Sequence, residues 1–117
     1  MKIKQPYNVN AAAQIAALES LEHIDYLNKT IRNIINERER LFTKLKELDW
    51  LKPFPSKANF ILCSVLNGKT REVYHKLQHK GIFVRYFDTL ELKDCLRISV
   101  GKPEHTDQLI ATLKDIC

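Results

Sequence analysis

The residues of this 117-residue chain whose type and spacing could do chemistry are Arg85 and Arg97. They sit within GIFVRYFDTLELKDCLRISVG, residues 81–101, in two runs, 82–87 and 95–100, joined by a polar connection containing leucines. Both runs alternate with a period of two, which reads as strand and not as helix. If the runs pair antiparallel about Glu91, then Ile82 faces Val100, Val84 faces Ile98 and Tyr86 faces Leu96, making one apolar face. Phe83, Arg85 and Phe87 then share the other face with Cys95, Arg97 and Ser99, and the two arginines stand directly opposite each other. Like charges so placed cost a sheet roughly a few tenths of a kcal/mol or more. A bound anion would remove that cost, because a guanidinium grips carboxylate or phosphate through two parallel bonds. The plainer reading is a solvated sheet face whose arginines pair with nearby acids, as surface charges commonly do.

The other chemistry-bearing residues point to less. His75 and His79 are four apart on one helical face, a spacing that can hold a metal, but no glutamate partner or third ligand accompanies them, so no metal is expected. Cys63 and Cys95 read as small strand hydrophobes with no paired base, and no nucleophile is assigned to them. Glu37-Arg38-Glu39-Arg40 reads as a salt-laced solvated helix face.

These residues need a scaffold, and the pattern supplies one. Asn8 or Asn10 can cap a first helix over about 10–21, with Ile15, Leu18 and Leu21 on one stripe and alanines allowing close packing. A break at 22–24 precedes a long amphipathic helix over about 25–48, carrying Leu27, Ile31, Ile34, Ile35, Leu41, Phe42, Leu45 and Leu48 at three- and four-residue steps to cover one side of a core. Lys52-Pro53-Phe54-Pro55-Ser56 reads as a turn, and 59–65 as a strand buried on both faces. A helix over 70–80 ends at Gly81, the two arginine strands follow, and Pro103 opens the last helix. The expected order is α-α-β-α-β-β-α, an α+β layer with a small, mostly antiparallel sheet and helices packed on one face. Residues 1–117 read as a single small domain in which 1–8 are a connector entering from something upstream.

Composition narrows the function classes. Apolar residues make up 44% and charged residues 28%, an ordinary globular balance. No apolar run approaches the roughly 20 residues of a membrane span, and no signal region follows Met1, so a membrane or secreted protein is not expected. Three cysteines without close spacing fit reduced thiols in the cytoplasm. The net charge of +5 is interleaved with acids and forms no basic stripe with stacking aromatics, so nucleic-acid binding is not expected.

The segments PYNVN (6–10), SKANFIL (56–62), GIFVR (81–85) and LRISVGKPEHTDQL (96–109) resemble, in order and spacing, the C-terminal part of histidinol-phosphate aminotransferase, a pyridoxal-phosphate enzyme of histidine biosynthesis. Single segments such as LRISVG also occur in related aminotransferases and in threonine-phosphate decarboxylase. The resemblance implies that Arg97 grips the α-carboxylate of glutamate or 2-oxoglutarate. It implies that Arg85 holds the far anion, the phosphate of histidinol phosphate or the side-chain carboxylate of glutamate. Tyr7, Asn8 and Asn59 lie in matching segments and are candidate site-lining residues, with a helix cap, a packed aromatic and a strand-start hydrogen bond as their plainer roles.

What the family needs and this chain lacks is the catalytic centre. Pyridoxal-phosphate chemistry requires a lysine to form the Schiff base, an acid on the pyridine nitrogen and donors for the cofactor phosphate. No lysine here has the Ser/Lys-Ala-Phe/Tyr-Gly type of setting that the family uses. The expectation is a C-terminal fragment, inactive and cofactor-free alone, whose partner is a missing large domain or partner chain and which belongs to a homodimer when complete. The alternatives are a stand-alone, non-catalytic anion-binding or partner-docking module of the same descent, or the small domain of a related aromatic aminotransferase or threonine-phosphate decarboxylase. The expected location is the cytoplasm, or a plastid for a plant protein.

Overall fold

The computed structural model describes residues 9–116 as four helices and four strands: α1 (Ala11–Glu22), α2 (Ile24–Lys46), β1 (Leu51–Pro53), β2 (Phe60–Val65), α3 (Thr70–His79), β3 (Arg85–Tyr86), β4 (Cys95–Ser99) and α4 (Pro103–Ile116). The connector 1–8, with Tyr7 and Asn8, and also Cys117 lie outside the described residues. The chain divides into two units, Met1–Arg32 and Asn33–Cys117.

The first unit holds α1 and the opening turns of α2. Asn10 caps α1, its side-chain oxygen accepting from the Ala13 N–H at 2.8 Å, which satisfies one of the free donors of a helix start. The break falls at His23, whose carbonyl then accepts from the Tyr26 and Leu27 N–H groups to start α2. The stripe of Ile15, Leu18 and Leu21 is present but remains 62–65% exposed, and no residue of α1 is buried.

The second unit is built on a sheet of order β1-β2-β4-β3, antiparallel throughout. One face carries Leu51, Ile61, Cys63, Val65, Leu96 and Ile98, and against it pack Leu41 and Leu45 of α2, Val73 and Leu77 of α3, and Leu109, Ile110 and Leu113 of α4. The α+β reading with helices on one face therefore holds, with β1 added to the expected order. That strand is hidden in the sequence because it is three residues long and ends on Pro53, too short to show alternation. An edge strand tolerates proline, and Leu51 stands opposite Val65 in the core.

Two other expectations are corrected. Strand β2 alternates between buried and half-buried residues instead of being buried on both faces, because only its odd-numbered side meets the helices. The Glu-Arg run of α2 is not wholly a solvated face: Glu37 and Arg38 are 8% and 6% exposed. The reason is that, within the second unit, these residues flank Leu41, which is buried in the core, while Ile34 and Ile35 stay exposed.

The helix ends near the arginine strands follow local rules. After α3, the Gly81 N–H donates to Gln78 O and the Ile82 N–H to Leu77 O, both at 2.9 Å, and Gly81 takes φ 76°. Such a turn favours glycine because a Cβ is disfavoured at positive φ. It launches the segment that becomes β3. Beyond β4, Pro103 begins α4 where a missing N–H costs nothing.

Candidate anion-binding site

Strands β3 and β4 pair with Arg85 opposite Arg97 and Tyr86 opposite Leu96, the register expected from the alternation about Glu91. Strand β2 pairs on the other side of β4, setting Phe60 opposite Ser99 and Leu62 opposite Arg97. The sheet face away from the helices thus presents Arg85 and Arg97 side by side, with Phe60, Leu62 and Ser99 around them. Both arginines are exposed. A one-residue slip would drive a guanidinium into the leucine core, where an unpaired charge costs several kcal/mol, so the core enforces the register.

Neither guanidinium has a carboxylate within ion-pair distance among the described residues, although acids lie close in sequence at Asp88, Glu91 and Asp94. The pairing with local acids that the plainer reading expects is thus absent among the described residues. Instead each rests on a ring: the Arg97 Cζ lies 5.2 Å from the Phe60 centroid and the Arg85 Cζ 5.7 Å from that of Phe87. A cation over an aromatic face is attracted by the ring quadrupole, which helps to hold the guanidinium in place. Phe60 is the member of this arrangement that sequence reasoning missed. Its aromatic type at the start of a strand was the available signal, but only the β2–β4 pairing brings it beside Arg97.

Asn59 is exposed at the entry to β2, and its carbonyl accepts from the Val100 N–H at 2.8 Å. By alternation it shares the parity of Ile61 and Cys63, not that of Phe60 and Leu62 beside Arg97. His75 and His79 lie on exposed α3 positions, and His75 Nδ1 contacts Gln78 Oε1 at 3.2 Å; no metal-holding cluster occurs among the described residues. Both described thiols are buried, and burial pushes Cys63 up to about 12 and raises Cys95 as well, opposite to what a nucleophile needs.

A small α+β unit whose outer sheet face displays two cross-strand arginines is the class of domain that this chain forms. The chain belongs to the aminotransferase class I and II family, whose family model matches residues 1–113. Within that family it is 50% identical over 115 residues to the histidinol-phosphate aminotransferase of Dehalococcoides mccartyi strain BAV1, a match covering 98% of this chain and 32% of the relative. The crystal structure of the histidinol-phosphate aminotransferase from Clostridium acetobutylicum superposes with a TM-score of 0.84 at 25% identity, over 97% of this chain and 35% of that one. The enzyme from Sinorhizobium meliloti, solved in complex with pyridoxal-5'-phosphate, gives 0.82 at 28% identity, over 98% of this chain and 32% of that one. The chain spans about a third of the length of the relatives it matches.

Proposed function

We propose that this chain is the substrate-gripping small domain of a histidinol-phosphate aminotransferase, acting with the larger segment that its relatives carry outside the match. The observation that supports this best is the pair of guanidinium groups, opposite in register and without an acidic partner among the described residues. Arg97 holds the α-carboxylate of glutamate or 2-oxoglutarate. Arg85 holds the distal anion, which is the phosphate of histidinol phosphate or the second carboxylate of glutamate. Binding energy from that remote anion orients the reacting amine, since holding a reactant in place removes part of the entropic barrier.

Pyridoxal phosphate, when bound in the complete enzyme, supplies the electron sink for amino transfer. The residues present fit the anionic ends of the substrates better than they fit this cofactor. The lysine that shares the arginine face, Lys52, is exposed on the edge strand β1, with β2 between it and Arg97. In this reading the chain alone carries no cofactor and no activity, and residues 1–8 connect it to a large domain in a homodimeric cytoplasmic enzyme. No described helix is long and apolar enough to cross a membrane.

The test is a chimera joining this chain to the upstream two-thirds of the Dehalococcoides relative, with substrate kinetics for each variant. Arg97→Ala is expected to raise KM for glutamate and 2-oxoglutarate by about 30-fold or more, the loss of a charge-assisted fork, while sparing histidinol phosphate. Arg85→Ala is expected to weaken both substrates, and lysine at either position to restore little. Unchanged kinetics for both substrates in Arg97→Ala would remove the assignment. Without the upstream segment, mixing the chain with pyridoxal phosphate should give no stoichiometric visible absorption band and no glutamate-dependent turnover.

A further inference from the structure

The arginine face does not use the charged group that is most deeply buried. Arg38 is 6% exposed on α2, and its guanidinium lines a cavity of about 180 Å³ with Glu39, Phe42, Pro55, Ser56, Lys57 and Ile61. This cavity is on the helix side of β2, since Ile61 faces the core while Leu62 stands opposite Arg97 on the other face. It is therefore separate from the site proposed above.

The bonding of Arg38 is lopsided. Nε and Nη2 both donate to one oxygen, Glu39 Oε1, at 3.2 and 2.8 Å, and Nη1 reaches the Ala58 carbonyl only at 3.4 Å. A guanidinium has five N–H donors, and these bonds use three of them, so two remain for a further acceptor. Adjacent helix positions do not face each other, so Glu39 must bend back along α2 to reach its neighbour. Its side chain is 61% exposed, and an ion pair made by so exposed a partner is weakly held. The other nearby acid, Glu37, is engaged with Arg40. A second cation, Lys57, stands on the cavity wall, and Phe42, Pro55 and Ile61 make the remaining wall apolar.

We propose that this cavity binds a short-chain carboxylate, its anion taking the place of Glu39 on the Arg38 fork and its apolar tail lying between Phe42, Pro55 and Ile61. The volume suits such a ligand, since a cavity of about 150 Å³ accepts a molecule with six non-hydrogen atoms. Butyrate is of that size. Glu39 acts as the built-in competitor, occupying the fork when no ligand is present.

Butyrate titrated into the 117-residue chain carrying Arg85→Gln and Arg97→Gln, followed by amide NMR, tests this without interference from the sheet face. Saturable shifts at Arg38–Phe42 and Ser56–Ala58 with an affinity of about 1 mM are expected, and none with uncharged butyramide. Glu39→Gln should tighten butyrate by about 2- to 5-fold by removing the competing carboxylate, and Lys57→Glu should weaken it about as much. Both positions are exposed, so neither variant threatens folding. Absence of saturable shifts, equal response to butyramide, or an affinity unmoved by Glu39→Gln would each overturn the proposal.

Discussion

Thr106 shows how much a single buried oxygen can matter. It is 2% exposed on α4, and its Oγ1 has no hydrogen-bond partner among the described residues. A buried hydroxyl without a partner loses its hydration and gains nothing in return, at a cost of about 1–3 kcal/mol. Thr106→Val keeps the shape and removes the hydroxyl, so denaturant unfolding should show a gain of about 1 kcal/mol; a loss would mean that the hydroxyl is partnered in solution. Cys63 offers a second test at this scale. Burial, with the nearby Cys95 second, pushes its thiol up to about 12, against the ordinary 9.0. The folded chain therefore keeps a proton that the unfolded chain sheds above pH 9. That contribution to stability is complete below pH 9 and is lost as pH rises towards 12. The midpoint of unfolding should fall steadily across that window, and Cys63→Ala should flatten the fall, though it starts from lower stability because of the cavity it leaves. A thiol reagent should label Cys63 at pH 8 only after the chain unfolds.

Among the elements, α2 and α4 are tied by one side chain. Arg40 donates to Asp107 Oδ1 and to the Pro103 carbonyl, each at 2.7 Å, and to Glu37 at 3.0 Å. The bond to Asp107 is the main cause of a guanidinium raised above its ordinary value, and it holds the Asp107 carboxyl below the usual carboxylate range, helped by Lys44. Because Asp107 is depressed in the folded state, the stability it adds is present above the ordinary carboxylate pKa and is lost as pH falls through the lowered one. Arg40→Gln should lower the melting temperature at pH 7, and its difference from the parent should shrink in acid and in high salt. A difference that persists unchanged at pH 2 would show that Arg40 acts through packing instead. The connection it secures is crowded: a Cβ on Gly101 would lie 2.8 Å from His105 Nδ1 and 3.0 Å from its Cβ. Gly101 therefore permits the close turn from β4, which carries Arg97, into α4.

At the scale of the molecule, the apolar surface is unevenly covered. The second unit has its leucine core beneath three helices, whereas Ile15, Leu18, Leu21, Ile24, Tyr26 and Ile31 in the first unit are 46–71% exposed. Phe83, near the arginine strands, is 79% exposed as well. Exposed large apolar side chains in such number favour association. The isolated chain is expected to sediment as a concentration-dependent oligomer and to bind a hydrophobic dye, and Ile15→Lys with Leu18→Lys should reduce both. A clean monomer at high concentration without dye binding would show that this surface is satisfied within the chain.

The alternation in 82–87 and 95–100 by itself determined that Arg85 and Arg97 share a face, because side chains in a strand change face at every residue and a one-residue slip would part the apolar set; pairing about Glu91 then sets the two arginines opposite. Helix boundaries at Asn10, Gly81 and Pro103 were legible for a similar reason, since capping and φ restrictions act over a few residues. Phe60 beneath Arg97, the burial of Glu37 and Arg38, the strand β1 and the Arg40 tie to α4 were decided only by tertiary structure. Each depends on which distant segment lies alongside: Leu51 becomes strand because Val65 is there to pair with it, and Arg40 reaches Asp107 because α4 packs against α2. Local sequence carries the period and the caps, but the neighbour across a sheet or between helices is chosen by the shared core, and no short window of residues contains it.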